Sequence, residues 1–425
     1  MRLGGRLAAA IEVLEDMERR HRPSADALKD WGLSHRFAGA GDRAAIGNIV
    51  YDALRRRRSA GWLLGGAAPR AWAFGGLILE TGRTAAELNA SLDGDRFAPQ
   101  PLTEAEIAAI AARDLADAPE AVRADVPDWC VPLLEKAFGQ DWVEEARALA
   151  ARPPLDMRAN TLLATRDKVI GELTGAAPAA IAPDGIRIPP IEGDGRHPNV
   201  QVEPAFQKGW FEIQDEGSQI AARLTGAAPG MQVLDLCAGA GGKTLALAAM
   251  MDNRGQIFAH DSEKARLAPI FDRLKRAECR NVQVIANPAG LADLEGRMDL
   301  VLIDAPCTGS GTWRRRPDAK WRLTERQLDV RIAEQRSILD NAARYVKPGG
   351  SIAYVTCSVF PSENQDQVAA FLDRHSSFEA ADHAALWTGM FPKHGDRART
   401  GEHGVVLTPL RSGTDGFFFA SMRRT

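Results

Sequence analysis

The second half of the chain alternates short apolar segments with segments of helical or loop character, and this alternation limits the possible folds more than any other feature. Five apolar segments follow one another after residue 230, and they are MQVLDLCAG, GQIFAHD, NVQVIAN, MDLVLIDAP and GSIAYVTCS. Short apolar strands that alternate with helices pack into a mostly parallel sheet with helices on both faces. We therefore predict a Rossmann-like α/β domain over residues 209–425, closed by two further strands in HGVVLTPLRSGTDGFFFASMRR.

The residues before this domain differ in character. In the first 140 or so residues, apolar side chains recur every three to four positions, as in Ala45, Ile46, Ile49 and Val50, which is typical of helices. Between residues 126 and 208, one helical segment is mixed with the strand-like segments LDMRANTLL and GIRIPP. We predict an all-α domain at residues 1–125 and a small α/β domain at residues 126–208.

The composition is that of an ordinary globular protein, with 425 residues, 26% charged residues and a formal net charge of −3. No stretch of about twenty apolar residues is present. Five cysteines without metal-ligand spacing argue against a disulfide framework and against a zinc site. We therefore expect a monomeric cytoplasmic protein without membrane contact and without a metal. A nucleic-acid partner would have to be recognised by locally basic segments.

The loop after the first predicted strand, VLDLCAGAGGKT, limits which cofactor the domain can hold. A triphosphate-binding loop requires glycine five positions before Gly242, and Cys237 stands there. The dinucleotide fingerprint Gly-x-Gly-x-x-Gly is also absent, which disfavours NAD. A strand, a run of small residues and a helix that starts near Lys243 instead favour S-adenosylmethionine.

Polar residues end the next two predicted strands, at the edge where ligands of parallel sheets bind. Asp261 ends GQIFAHD, and its carboxylate can accept hydrogen bonds from both ribose hydroxyls of the cofactor. Asn287 ends NVQVIAN, and its amide can meet an adenine edge. Together with the glycine loop, these positions predict an adenosine cofactor.

Two cysteines follow consecutive predicted strands, Cys307 after MDLVLIDAP and Cys357 after SIAYVT. In a parallel sheet both thiols would face the crevice of the glycine loop. Two thiols there suit methylation of carbon 5 of cytosine, because a thiolate that adds to carbon 6 makes carbon 5 nucleophilic. Asp304 can stabilise charge at ring nitrogen 3, and Lys243 can lower a thiol pKa. The spacing leaves open which cysteine attacks.

Two segments are locally basic. The arginines at 55–58 close a predicted helix, where they either contact phosphate or form a solvated end that favours the helix dipole. The segment TWRRRPDAKW, after Cys307, interleaves bases with tryptophans and favours a groove that follows an RNA backbone and stacks bases. The candidate RNA-contacting residues are Arg55, Arg56, Arg57, Arg58, Arg314, Arg315, Arg316 and Lys320.

The segments DLCAGAGGKT, DAPCTGSGTWRRRPDAKW, YVTCSVFPSENQDQV and TDGFFFASMRR together resemble the Sun/RsmB-type RNA cytosine-5 methyltransferases over roughly residues 140–425. The resemblance implies that Cys357 is the nucleophile and that Cys307 assists product release. It also implies a ribose contact at Asp261 and a contact at Asp304. The cofactor contacts it implies in the glycine loop are Cys237, Ala238, Gly239, Ala240, Gly241, Gly242 and Lys243.

We expect the small α/β domain at residues 126–208 to be RRM-like. The N-terminal segment HRFAGAGDRAAIGNIVYDALRRRRSAGWLL resembles the NusB-like RNA-binding domain of the bacterial RsmB branch. It makes 16S rRNA the expected substrate. Two departures from the family pattern stand out: Gly239-Ala240 replaces an Ala-Pro pair, and Asn287 replaces an acidic residue. The alternatives are an enzyme acting on tRNA or another RNA, and an RNA-binding ribosome assembly factor without catalysis.

Overall fold

The structure is a computed structural model that describes residues 1–193 and 195–425. The chain forms two compact units. The first, called the helical unit, comprises residues 1–152, 191–197 and 313–323, and the second, called the sheet unit, comprises residues 153–190, 198–312 and 324–425. The helical unit therefore extends beyond the predicted boundary at residue 125 and includes two segments from later in the chain.

The helical unit is built on amphipathic helices, as the three-to-four spacing predicted, while the likeness to NusB stays a prediction. Leu7, Leu14, Ile46, Phe74 and Leu88 are fully buried in its core. The predicted helix over 131–151 is interrupted at Gly139, whose φ of 62° ends one helix before the next begins. The helices are α1 (Leu3–Arg20), α2 (Ser24–Ser34), α3 (Ala40–Arg55), α4 (Arg57–Leu64), α5 (Pro69–Thr81), α6 (Ala85–Leu92), α7 (Glu104–Ala112), α8 (Glu120–Arg123), α9 (Val131–Phe138) and α10 (Trp142–Ala148).

Residues 313–323 pack into the helical unit although they lie between two parts of the sheet unit in sequence. The indole Nε1 of Trp321 donates a hydrogen bond of 2.7 Å to the carbonyl of Leu54. The hydroxyl of Ser24 donates one of 2.9 Å to Asp318, and both residues are buried. The tryptophan-rich segment is therefore part of the packing of this unit.

The sheet unit begins with a small antiparallel sheet, which confirms the strand predictions for LDMRANTLL and GIRIPP. Its strand order is β2-β3-β1-β4. Met157, Ile186 and Phe211 fill its core. The strands are β1 (Leu155–Ala159), β2 (Ala177–Pro178), β3 (Gly185–Ile188) and β4 (Phe211–Ile213), with helices α11 (Arg166–Glu172) and α12 (Pro204–Gln207).

The large sheet confirms the predicted Rossmann-like fold. Its order is β11-β12-β13-β9-β8-β5-β6-β7, with β10 paired to β13. The pairs from β9 to β7 are parallel, and the pairs that involve β10 to β13 are antiparallel. The strands are β5 (Gln232–Asp235), β6 (Gln256–His260), β7 (Val282–Ile285), β8 (Met298–Asp304), β9 (Val346–Thr356), β10 (Phe378–Ala380), β11 (Arg399–Gly401), β12 (Gly404–Leu407) and β13 (Phe417–Arg424).

The helices that belong with this part of the chain follow the strands, as expected for a doubly wound sheet. They are α13 (Glu216–Leu224), α14 (Gly242–Met250), α15 (Lys264–Leu267), α16 (Ile270–Arg276), α17 (Pro317–Arg322, in the helical unit), α18 (Glu325–Ala342), α19 (Gln365–Arg374) and α20 (His383–Met390). Among the described residues, no helix combines the length and the apolar character that crossing a membrane requires.

The strand order reverses between β5 and β8, because β6 follows β5 on one side and β8 lies on the other. A crevice forms beyond the carboxyl ends of the strands at such a reversal. The loops that follow β5, β6, β8 and β9 carry the residues singled out by sequence, so the topology brings them to one edge of the sheet.

Candidate active site

The glycine loop between β5 and α14 is a tight turn whose shape depends on glycine. Gly241 has φ of +83°, and a Cβ there would lie 2.5 Å from Cγ1 of Ile270. Its N–H donates to the carbonyl of Ala238, and the guanidinium of Arg273 donates 2.7 Å to the carbonyl of Ala240. The loop is therefore stabilised by a hydrogen bond within its own backbone and by one from Arg273, although it lacks the proline of the usual family pattern.

Asp261, directly after β6, is 2% exposed, and its carboxylate organises the neighbouring loops. One oxygen accepts the N–H of Gly239 at 2.9 Å and the other accepts the N–H of Glu263 at 2.9 Å. The guanidinium of Arg266 lies 3.7 Å from the first oxygen. Because a carboxylate oxygen has two lone pairs, each can still accept a ribose hydroxyl.

A cavity of about 360 Å³ opens next to Asp261. Its size suits an adenosine group, and its lining combines a buried carboxylate with apolar side chains, as in nucleoside sites. Residues from the ends of β5, β6, β7 and β8 all contribute to the wall. They include Cys237, His260, Asp261, Ser262, Pro288 and Pro306.

Asn287 does not lie among the residues that line this cavity. The residue is exposed, and its side-chain oxygen accepts the N–H of Ala289 at 3.2 Å, which caps the short 3₁₀ helix Pro288–Leu294. This local role differs from the predicted contact with adenine. The neighbouring Pro288 and Leu291 face the cavity instead.

Lys243 and Asp304 form an ion pair beside the glycine loop. Lys243 Nζ lies 2.7 Å from Asp304 Oδ2, and the lysine side chain is 5% exposed whereas the aspartate is 38% exposed. The ammonium also lies 5.4 Å from the centre of the Phe417 ring. The pair places a fixed positive charge and an accessible carboxylate at the carboxyl ends of β5 and β8.

A second carboxylate, Asp235, is fully buried beneath the loop and is a residue that the sequence analysis did not single out. Its Oδ2 accepts the hydroxyl of Thr244 at 2.7 Å. Burial and the negative charges of Asp304 and Asp261 raise the pKa of Asp235 to about 7, although Thr244 and Lys243 oppose this effect. Asp235 could have been singled out from the sequence, because it ends a predicted strand just before the glycine loop.

The thiols of Cys307 and Cys357 face each other at the ends of β8 and β9, with 3.4 Å between the sulfur atoms. The hydrogen bond between Cys307 and Cys357, followed by burial, raises the pKa of Cys307 well above its ordinary value. Cys307 therefore retains its proton at neutral pH. Lys243, which the sequence suggested could lower a thiol pKa, is paired with Asp304.

Cys237 lies in the glycine loop, and its environment does not activate the thiol. Burial, followed by the charges of Asp235, Asp261 and Asp304, raises the pKa of Cys237 well above its ordinary value. A thiol that stays protonated is a poor nucleophile. Its place in the cavity wall fits the predicted cofactor contact.

The TDGFFFASMRR segment supports the loop that carries Cys307. The N–H of Gly416 donates 2.8 Å to the carbonyl of Gly311, and a Cβ on Gly311 would lie 2.1 Å from the carbonyl oxygen of Gly416. Glycine is therefore required at this approach of two backbones. The N–H of Gly311 in turn donates 2.9 Å to the carbonyl of Cys357.

The four arginines at 55–58 are paired with acidic residues in the helical unit, so this helix end is less solvated than the second alternative expected, and the phosphate contact stays a prediction. Arg55 is buried, and Arg56, Arg57 and Arg58 are half-buried. The guanidinium of Arg57 also stacks 3.9 Å from the centre of the Trp72 ring. The carboxylate partners are Asp52 for Arg55, Glu80 for Arg56, Glu18 for Arg57 and Asp128 for Arg58.

The basic residues of TWRRRPDAKW divide into buried and exposed ones. Arg314 is buried and Lys320 is 1% exposed, so neither side chain presents its charge to a phosphate in this structure. Burial lowers the pKa of Lys320 to about 8, although Asp125 opposes this effect. Arg315 is half-buried and Arg316 is exposed, so Arg316 remains the most accessible candidate for an RNA contact.

Within residues 1–193 and 195–425, no group of three or more His, Cys, Asp or Glu side chains is arranged to hold a metal ion.

Two family models and a solved structure show which proteins this chain is similar to. A family model described as 16S rRNA methyltransferase RsmB/F matches residues 225–423, and a model of the RsmF/B-like methyltransferase ferredoxin-like domain matches residues 126–190. The crystal structure of PH0851 has 26% identity and a TM-score of 0.73, and the match covers all of this chain and 99% of that one.

Two curated relatives are named ribosomal RNA small subunit methyltransferase B. The protein of Photorhabdus laumondii is 31% identical over 307 residues, and that of Salmonella typhi is 34% identical over 304 residues. Each alignment covers 70% of this chain and 66% of the relative, so the chain spans just under two thirds of their length. The chain belongs to the RsmB/F methyltransferase family.

Proposed function

We propose that this protein methylates carbon 5 of a cytosine in RNA, with small-subunit rRNA as its substrate and S-adenosylmethionine as its methyl donor. The observation that carries the proposal is the pair of thiols, 3.4 Å apart, at the ends of β8 and β9. Family membership and the names of the relatives support rRNA as the substrate.

The residues at the glycine loop fit S-adenosylmethionine. Asp261 would hold the ribose hydroxyls, and the cavity beside it would take the adenosine. The backbone from Cys237 to Lys243 would hold the methionine end, as the family resemblance implies. When bound, this cofactor supplies the methyl group that carbon 5 of the cytosine accepts.

The two thiols divide the covalent chemistry between them. Cys357 would add its sulfur to carbon 6, so that the electron pair of the 5,6 double bond becomes available at carbon 5. Burial and the contact with Cys357 raise the pKa of Cys307, so Cys307 keeps its proton. The family resemblance implies that Cys357 is the nucleophile. After methylation, solvent water takes the proton from carbon 5, and the electron pair of that C–H bond restores the double bond. The Cys357 sulfur leaves with the electron pair of its bond to carbon 6, with Cys307 assisting.

Asp304 and Lys243 would act on the target base and not on the thiols. Asp304 is accessible, so its carboxyl group, in the protonated form, can donate a hydrogen bond to ring nitrogen 3 and stabilise the negative charge that develops there when the thiolate adds. Lys243 fixes the position of that carboxylate through their ion pair of 2.7 Å.

The roles of the thiols can be tested with three single variants and labelled small-subunit rRNA. We expect Cys307→Ala to accumulate a covalent RNA–protein adduct on denaturing gels, because release is impaired while addition is not. Cys357→Ala should form no adduct. Cys279→Ala is the matched control, since that half-buried cysteine has its pKa raised to about 11 by burial and should leave methylation unchanged.

An adduct that appears only when Cys357 is removed would show that the roles of the two cysteines are reversed.

The substrate itself is tested by bisulfite sequencing of RNA from cells with and without the gene. A cytosine that loses its methyl group in tRNA, with small-subunit rRNA unchanged, would contradict the proposed substrate. Unchanged sequencing of all RNA, together with no adduct, would indicate a non-catalytic RNA-binding protein.

A further inference from the structure

Glu363 is a carboxylate that is 0% exposed and lies close to both thiols in the sheet unit. One oxygen accepts the N–H of Thr308 at 2.8 Å and the Nε2 of Gln335 at 3.0 Å. The other oxygen accepts the hydroxyls of Thr308 and Ser358. Four donors thus converge on one buried charge, which offsets the cost of removing it from water.

The residues that donate to Glu363 are the direct neighbours of the thiols. Thr308 follows Cys307 in the chain, and Ser358 follows Cys357. Gln335, from α18, also donates 2.9 Å to the carbonyl of Pro306, the residue before Cys307. A single side chain therefore links the loop after β8 to the loop after β9 at the point where each carries its cysteine.

Glu363 and the loop around Cys357 are themselves fixed by buried hydrogen bonds. The hydroxyl of Tyr354 donates 2.7 Å to the carbonyl of Glu363. The amide of the next residue, Asn364, donates 2.9 Å to the carbonyl of Ser358, and its oxygen accepts the hydroxyl of Thr356. The residues on both sides of Cys357 are thus tied to the segment that begins α19.

We propose that Glu363 is a positioning residue that holds the sulfur atoms of Cys307 and Cys357 in reach of one cytosine ring. The inference rests on the proposed function of the two thiols. A second link between the loops, from the N–H of Gly311 to the carbonyl of Cys357, does not involve Glu363, so loss of Glu363 should loosen the pair without separating the strands.

The negative charge of Glu363 also acts on the Cys307 thiol. The hydrogen bond between Cys307 and Cys357 and burial are the main causes of the raised pKa of Cys307, and the charges of Cys357 and Glu363 raise it further. Removing the carboxylate charge should therefore lower the pH at which Cys307 is alkylated. A side chain with a purely structural role would leave that pH unchanged.

The test uses Glu363→Gln and Glu363→Ala in the full chain, with Glu379→Gln as the control, because Glu379 is exposed on β10. Methylation of transcribed small-subunit rRNA gives kcat and KM, and calorimetry gives the affinity for S-adenosylmethionine. Alkylation by iodoacetamide against pH, followed at the Cys307 peptide by mass spectrometry, needs no RNA. Circular dichroism checks folding, and Glu363→Gln serves if the alanine variant does not fold.

We expect Glu363→Ala to lower kcat by about 100-fold, because a displacement of about 1 Å at reacting atoms costs that much. The affinity for S-adenosylmethionine should change by less than about twofold, since Glu363 does not line the cofactor cavity. In Glu363→Gln the alkylation profile of Cys307 should move to lower pH. The control should match the unaltered protein in every measurement.

A wild-type kcat in Glu363→Ala, or an alkylation profile that does not move in Glu363→Gln, would overturn the inference while the proposed function stands. If the unaltered protein methylates no RNA, the proposed function fails instead. The alkylation profile, which is measured without RNA, then still decides whether Glu363 acts on the thiol.

Discussion

Asp235→Asn is the change whose consequence can be worked most directly from the structure. The carboxyl group of Asp235 is fully buried at the end of β5, and burial with its charged neighbours raises its pKa from 3.8 to about 7. The amide introduced by this substitution would have nearly the same shape as the carboxyl group and could still accept the hydroxyl of Thr244. The substitution therefore removes the ionisation and leaves the packing in place.

Whether stability rises or falls with pH depends on which state of the chain, folded or unfolded, binds the proton of Asp235 more tightly. Below about pH 4, Asp235 is protonated in the folded and in the unfolded chain, and the two proteins should be similarly stable. Between about pH 4 and pH 7 the unfolded chain ionises while the folded chain keeps the proton, so the stability contributed by this group falls as the pH rises. Above about pH 7 the loss is complete.

The size of the loss follows from the pKa difference. At about 1.4 kcal/mol per pH unit, a rise from 3.8 to about 7 corresponds to about 4 kcal/mol of unfolding free energy. The Asn variant should therefore gain stability over the unaltered protein as the pH rises, by up to about 4 kcal/mol at pH 8.

Urea unfolding followed by circular dichroism between pH 4 and pH 8 measures this difference. Asp272→Asn is the control for removing a carboxyl group outside the core, because Asp272 is exposed on α16. A constant difference between Asp235→Asn and the unaltered protein across this range would refute the reasoning, since it would mean that Asp235 ionises equally in both states.

Two further predictions concern ligand contacts. Asp261→Asn should weaken S-adenosylmethionine binding by about 10-fold or more in calorimetry, because hydrogen bonds to a buried charge are lost. Asn287→Ala should change the affinity by less than about twofold, since that side chain caps a 3₁₀ helix. Equal losses of affinity in the two variants would support the predicted contact between Asn287 and adenine. Arg316→Ala should reduce the slope of log affinity against log salt for RNA by about one. Lys320→Met, which alters a buried side chain, should leave that slope unchanged, and a reduced slope there would mean that Lys320 reaches the RNA.

Much of the site could be predicted because its residues follow strands. Apolar periodicity marks β5, β6, β8 and β9, and a parallel sheet places the ends of such strands at one edge. This rule is enough to bring Asp261, Asp304, Cys307 and Cys357 together. The choice between the two thiols came from family resemblance, because spacing carries no information on which sulfur ionises.

Charge patterns were a poorer guide to the contacts of basic side chains, because the acidic partner of such a side chain can lie far away in the sequence. The arginines at 55–58 suggested either a phosphate contact or a helix end, and their partners lie as far away as Glu18 and Asp128. The base-rich segment after Cys307 suggested an RNA groove. Its Lys320 is buried in the helical unit, close enough to Asp125 for their charges to interact.

The sequence by itself determined the Rossmann-like fold, the cofactor loop and the four strand ends that carry the proposed chemistry. These features depend on local periodicity and on short sequence segments that can be interpreted without knowing their tertiary contacts. Only the tertiary structure decided that Ser24 meets Asp318, that the pKa of Asp235 is raised, and that Glu363 links the two cysteine loops. Burial and hydrogen-bond partners arise when distant segments pack together, and no local pattern encodes them.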